Sequence, residues 1–208
     1  MLNEQLVELT ESSKIIIEPV YYLQGIPHAL PNCYLRETVV DKIIRISQKL
    51  PDGYQLKIYD AWRPFLVQKY LYDAYKAKLS QQYPTLSALD LEQLAKTFVS
   101  EPVYDMMQAP AHCTGGAIDL TLVYNGKDVD MGTTFDDFTP QSHTQTYIDD
   151  SIKAHRDMLL CIMTNEGFTN LETEWWHFDY GDKFWAERTR QPIQYGGIFT
   201  PTINGKIM

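Results

Sequence analysis

Residues 117–124, AIDLTLVY, read as a strand with one residue out of place. Ile118, Leu120 and Leu122 alternate with Ala117, Asp119 and Thr121, so a period-2 backbone sends the aliphatics to one face and an aspartate to the other. The strand runs straight into Asn125-Gly126, a pair suited to the positive φ angles of a two-residue hairpin turn, which predicts an antiparallel neighbour. Any fold for this chain must therefore pair this strand, bury its aliphatic face and find a partner for Asp119. A solvated sheet face would satisfy the carboxylate. So would a cation shared with His112, which the flexible Gly115-Gly116 turn would bring alongside.

The rest of the chain alternates strand-like and helix-like patterns. SKIIIEPVYYL (13–23) predicts an early strand, followed by a Pro-rich loop over 24–34. In 36–50 the residues Val39, Val40, Ile43, Ile44 and Leu50 keep helical spacing, and PDGY stops the element. In 54–64 the residues Leu56, Ile58 and Asp60 alternate with Lys57, Tyr59 and Ala61 as a strand, and Pro64 ends it while opening a helix over 65–79. Ser87 and Asp90 resemble a capping box for a helix with Leu91, Leu94, Ala95 and Phe98 on one face. Residues 147–165 form another, with Ile148, Ile152, Leu159 and Ile162 in a stripe and Gly167 as terminator. LETEWWHFDY (171–180) predicts a short aromatic-rich strand. No repeat, low-complexity tract or Gly/Ser linker interrupts this order. The expectation is a single α+β domain over 1–208, with a central antiparallel sheet flanked by helices.

A net charge of −9 argues against nucleic acid or an anionic membrane as a partner. No basic segment followed by an apolar stretch opens the chain, and no segment approaches 18 uncharged apolar residues, so neither a secretory signal nor a membrane span is expected. The three cysteines Cys33, Cys113 and Cys161 are widely spaced and form no C-x-x-C, which fits a reducing compartment. A cytoplasmic protein is expected. Cys113 adjoins His112, but neighbours in sequence do not make a Cys-His dyad.

Of the five histidines, His28 and His143 lie in loops with no acid at ligand spacing, and His155 falls on a helix stripe. His177 differs, because Glu174 precedes it by three residues in EWWH. Zinc hydrolysis needs three N or O ligands, an open position for water and a carboxylate to take a proton. His112, Asp119, His177 and Glu174 supply that set, although no H-E-x-x-H is present. On a regular strand Glu174 and His177 would point to opposite faces, so a bend before His177, or a Glu174 at the strand entry, is required. The other reading of EWWHF is an aromatic core strand carrying one exposed acid.

Four ordered blocks carry a resemblance: IYDAWRP (58–64), HCTGGAIDLTL (112–122), MGTTFDDF (131–138) and EWWHF (174–178). Together they resemble the zinc D-alanyl-D-alanine dipeptidases associated with vancomycin resistance, over about residues 20 to 185. That family lies in a wider group with lysostaphin-like enzymes, D-Ala-D-Ala carboxypeptidases and the hedgehog domain. The resemblance implies a hedgehog/DD-peptidase-like fold and one zinc per chain bound by His112, Asp119 and His177. It further implies Glu174 as general base and Arg63 as the group that polarises the scissile carbonyl. The other role open to Arg63 is a surface ion pair with Asp60.

The implied reaction is hydrolysis of D-Ala-D-Ala or a related small dipeptide in cell-wall precursor or peptidoglycan-fragment metabolism. Zinc would lower the pKa of a bound water to about 7, and Glu174 would shuttle the proton to the leaving amine. Asp136 and Asp137 are candidates for the substrate ammonium, or are solvated loop acids. Thr121 would support the site and Trp175 or Trp176 would wall it, unless they simply pack. The family pattern S-x-H-x-x-G is broken by Pro110 at the serine position, which alters the expected substrate contacts. Two alternatives are a D,D- or L,D-carboxypeptidase or endopeptidase acting on peptidoglycan stems, and a non-catalytic zinc-stabilised binding domain. Glu174 and Arg63 argue against the last, since binding needs neither.

Overall fold

In the computed structural model, which describes residues 1–200, 202, 203, 206 and 207, the chain opens with β1 (Leu6–Leu9) and β2 (Ile15–Ile17). A single helical turn α1 (Val20–Leu23) precedes β3 (Cys33–Arg36), which pairs antiparallel with β1. Then follow α2 (Glu37–Lys49), β4 (Tyr54–Asp60), α3 (Phe65–Gln82) and α4 (Ala88–Lys96). A 3-10 turn at Ala111–Thr114 leads into β5 (Ala117–Tyr124) and its hairpin partner β6 (Lys127–Asp128). The elements α5 (Asp150–Thr164), β7 (Thr169–Asn170), β8 (His177–Asp179) and α6 (Lys183–Thr189) complete the domain.

The central sheet has the order β2-β4-β5-β8-β7, with β6 also paired to β5. Asn125 and Gly126 take φ of 49° and 76°, as the hairpin turn requires. The sheet departs from the all-antiparallel expectation at one edge, because β2 runs parallel to β4. The chain between those strands passes through α1, β3 and α2, which supplies the long crossover that a parallel pair needs.

One face of the sheet is aliphatic and continuous. Leu56 faces Leu122, Ile58 faces Leu120 and Ile118 faces Phe178 across the register. These side chains share a core with Val39, Ile43 and Ile46 of α2 and Leu159 and Met163 of α5. Each such aliphatic, fully buried, contributes about 1.5–3 kcal/mol relative to exposure. The helices that cover this face leave the opposite face of β5, with Asp119, free to build a site.

Three sequence expectations shift. The early strand is confined to Ile15–Ile17, because Pro19 lacks the ladder N–H and its fixed φ starts the helical turn of α1. In β4 the simple alternation breaks: a register shift between Ile58 and Asp60 sets Asp60 opposite Asp119. That bulge moves the Asp60 side chain from the Ile58 face to the Asp119 face. In 171–180 only His177–Asp179 is strand, and the preceding residues form turns in which the Glu174 N–H donates to the Leu171 carbonyl. Elsewhere the punctuation holds. Ser87 accepts from the Asp90 N–H at 3.2 Å to cap α4, and Asp149 caps α5 through the Ile152 N–H at 2.8 Å.

Candidate metal centre and active site

Asp60, Asp119 and His177 lie abreast on three adjacent strands, since Asp60 pairs with Asp119 and Asp119 with His177. His112 enters from the 3-10 turn that precedes β5. That turn ends at Gly115 with φ 74°, and a side chain at Gly116 would overlap the Tyr180 carbonyl. The paired glycines therefore let the backbone double back close enough for His112 to reach Asp119. Arg36 locks the turn from below by donating from Nε to the Thr114 carbonyl at 2.7 Å.

His112, Asp119 and His177 are buried, and one ligand atom from each lies within 4.8 Å of the others. His112 Nε2 is 3.2 Å from Asp119 Oδ2 and 3.1 Å from His177 Nδ1, while His177 Nδ1 is 2.9 Å from Asp119 Oδ1. Ligands on a tetrahedral ion with bonds of about 2.0–2.1 Å are about 3.3 Å apart, so this triangle is nearly the right size for zinc before any adjustment. The outer nitrogens are also committed. His112 Nδ1 sits 2.8 Å from the Ala61 carbonyl and His177 Nε2 sits 2.8 Å from Asp179 Oδ1, which orients the two inner nitrogens toward a shared cation. Asp179 in turn accepts from Arg188 Nη1 at 2.6 Å.

The electrostatics describe a site built to hold positive charge. Burial alone would raise the Asp119 pKa, but His112 and His177 outweigh it and hold the carboxyl well below the usual range. Burial opposes charge on His177, yet Asp179 and Asp119 keep its pKa well above that of free histidine. A cation held at Nδ1 would displace that proton, so metal binding here would be coupled to proton release.

Glu174, in the turn before β8, lines the same cavity of about 540 Å³. Its position ahead of the strand resolves the odd spacing from His177. Burial pushes its pKa up to about 8, and among the described residues its carboxylate accepts no side-chain hydrogen bond. A nearby dication would pull that value down toward neutrality, into the range where a carboxylate serves as base.

Arg63 is buried in the cavity wall. Its ion pair with Asp60 is present, with Nε donating to Oδ2 at 2.8 Å, but it is interior and not on the surface. Nη1 donates to Gln68 Oε1 at 2.8 Å, Nη2 lies 3.7 Å from Asp119 Oδ2, and the guanidinium stacks 4.9 Å from the Tyr21 ring centroid. Burial alone would weaken its charge; Asp60, Tyr21 and Asp119 more than restore it.

The two aspartates proposed for an ammonium separate. Asp136 lines the cavity, accepts from the Tyr21 hydroxyl at 3.0 Å, and is pushed up to about 7 by burial and then by Asp119. Asp137 does not line it; its N–H turns back to the Thr134 carbonyl. The reason is local backbone: Asp136 takes φ 60°, so the two neighbours diverge. Thr121 meets Tyr59 away from the cavity, and Trp175 and Trp176 are core residues, Trp175 donating to Thr133 Oγ1 at 2.8 Å. Cys113 is fully buried with its thiol pushed up to about 12, unsuited to nucleophilic attack. His28, His143 and His155 stay outside the cavity.

Tyr21, Gln68, Asp179 and Arg188 went unread in the sequence, and Asp60 was read there only as an ion-pair partner for Arg63. Only Asp179 carried a signal, since it lies two residues beyond His177 and shares its strand face.

Two imidazoles and a carboxylate that converge on one point, beside an unpaired carboxylate and a guanidinium, make the layout of a metallopeptidase. Comparison with known proteins agrees. The family described as D-ala-D-ala dipeptidase, peptidase M15, matches residues 32–194, and the chain belongs to it. A D-alanyl-D-alanine dipeptidase of Synechocystis sp. is 28% identical over 181 residues, covering 76% of this chain and 73% of the relative. One from Escherichia coli K12 is 34% identical over 144 residues, covering 68% of this chain and 62% of that relative. Among solved structures, VanYB in complex with D-Alanine-D-Alanine gives a TM-score of 0.49 at 14% identity, covering 77% of this chain and 81% of the other. Among the described residues no helix is long and apolar enough to cross a membrane.

Proposed function

We propose that this peptidase hydrolyses D-Ala-D-Ala or a closely related dipeptide with one zinc per chain, held by His112 Nε2, an Asp119 oxygen and His177 Nδ1. The observation that carries the reading is the convergence of those three atoms within 4.8 Å on a cavity that Glu174 and Arg63 also line. The names of the relatives support the choice of dipeptide. Bound zinc supplies Lewis acidity, polarising the scissile carbonyl and making water a nucleophile at neutral pH.

The chain's own groups do the rest. Glu174 accepts the proton of the attacking water and returns it to the leaving amine, so one carboxylate serves as base and then acid. Arg63, held by Asp60 and Gln68, presents fixed positive charge where the carbonyl oxygen becomes negative. Asp136, with Tyr21 on one oxygen, faces the substrate ammonium. Such a role suits an enzyme that works on cell-wall precursors or recycled fragments.

The test is a panel of D,D, D,L, L,D and L,L alanyl-alanine, assayed on purified protein with and without chelator. Turnover of the D,D isomer that vanishes with chelator and returns with zinc is expected. Chelator-insensitive turnover, or none in zinc-loaded protein, overturns the reading. The cavity also extends along α3 past Ala74 to the exposed Lys78. That openness favours, as a second reading, a carboxypeptidase on longer D,D-terminated peptides, which a stem pentapeptide in the same assay separates.

Arg63→Ala is expected to retain zinc while kcat falls by about 10²-fold or more, the scale seen when an oxyanion donor is removed. Arg63→Lys should rescue poorly, because an ammonium cannot span Asp60, Gln68 and substrate with one planar fork. Near-normal turnover in Arg63→Ala would reduce this residue to a structural ion pair.

A further inference from the structure

A free dipeptide carries an ammonium at one end and a carboxylate at the other, and the sheet register sorts the charged groups of the cavity to match. Arg63, Tyr21 and Asp136 gather on the β4 side of Asp119, where Asp60 pairs with it. On the β8 side, beyond His177, stand Asp179 and Arg188. Strands lie about 4.8 Å apart, so β4 and β8 are separated by about 10 Å, while an extended dipeptide spans about 7 Å. A substrate with its ammonium at Asp136 and its scissile bond over the ligand triangle directs its carboxylate toward Arg188.

The available cations narrow the choice. Arg63 is held by Asp60, Gln68 and Tyr21, and the donor it has left is already assigned to the scissile carbonyl. Lys96 is held by Glu92 and Glu101, and Lys78, which also lines the cavity, is exposed about 20 Å along α3 from the Arg63 end of that helix. Pro110 and Ala111, which also line the cavity, have side chains without a donor. Arg188 lines the cavity with its side chain 30% exposed, and among the described residues only its Nη1 is bonded, to Asp179.

Building on the dipeptidase reading, we propose that Arg188 receives the C-terminal carboxylate of the substrate, as a specificity-determining residue. Asp179 grips one arm of the guanidinium and leaves Nε and Nη2 to form a fork to the carboxylate. Because the same Asp179 orients His177, the carboxylate contact is built directly onto the metal ligand set.

The test compares zinc-loaded enzyme on D-Ala-D-Ala and on its C-terminal amide, which keeps the scissile bond and removes the charge. A charge-assisted pair predicts an acid-over-amide preference in kcat/KM of about 10-fold or more. In Arg188→Gln that preference should collapse, mainly through a raised KM for the acid, and Arg188→Lys should restore part of it. Wild-type enzyme that cleaves acid and amide equally well overturns the proposal, even if a variant fails to fold. So does an Arg188→Gln protein in which both substrates decline in parallel with zinc affinity, the result expected if Arg188 only braces Asp179. Wild-type enzyme that cleaves neither form removes the dipeptidase reading itself, a distinct result.

Discussion

Glu174→Gln is expected to leave the protein folded and loaded with zinc while turnover of the dipeptide falls by about 10²- to 10⁴-fold, the range typical of lost acid-base catalysis. The amide keeps the size and polarity of the side chain but cannot take a proton at neutral pH. Nothing else need change, because among the described residues the Glu174 carboxylate braces no other side chain and burial already disfavours its charge. Dipeptide binding should persist, since the ligand triangle and Asp136 are untouched. If Glu174 were a fourth ligand, the site would be closed and structural, and metal affinity and stability would fall together. Zinc content, melting temperature and turnover on this one variant separate the two: metal loss with unfolding sinks the general-base assignment.

His112→Ala and His177→Ala should each abolish tight zinc binding, and with it activity. The two substitutions are not equivalent. His112 leans on the Ala61 carbonyl through Nδ1, with Asp60 Oδ2 3.5 Å away, so its removal leaves Asp60 paired with Arg63 and Asp119 paired with His177. His177 lies between Asp119 and Asp179, and its loss leaves two buried carboxylates facing each other's field. Breaking a buried charged pair costs about 3–5 kcal/mol, so His177→Ala should also melt earlier. Cys113→Ala, next to His112 but facing the core, should remain metal-replete. Metal analysis after dialysis against zinc, alongside circular dichroism, is the measurement; a folded His112→Ala protein that still binds one zinc tightly would disprove the ligand set.

Much of this site was legible because local rules hold wherever the backbone is regular. The period-2 alternation of 117–122 separated Asp119 from Ile118, Leu120 and Leu122, and the two faces of β5 differ in that way. The Asn125-Gly126 turn, the Ser87 cap and the α2 stripe also follow from residue types within one or two turns of chain. Asp119 stood out as a carboxylate inside an aliphatic strand and Glu174 by its spacing from His177, while joining them with His112 into one site rested on the resemblance of the four ordered blocks.

What the sequence by itself determined was the long helices α2 to α5 and the strands β4, β5 and β8, the polar residues that break their patterns, and the chemistry those residues offer, while the short β1, β3 and α6 carry too few residues for a periodicity to show. Only the tertiary structure decided which of them meet. The bulge in β4 that turns Asp60 onto the Asp119 face leaves no mark in an alternating pattern, because one extra residue on one strand is defined only against its partner. The left-handed backbone at Asp136 sends one of two identical neighbours into the cavity and keeps the other out. Tyr21 reaches the site from α1, 115 residues before the Asp136 it bonds, and a contact between such distant segments is set by packing, which no local periodicity encodes.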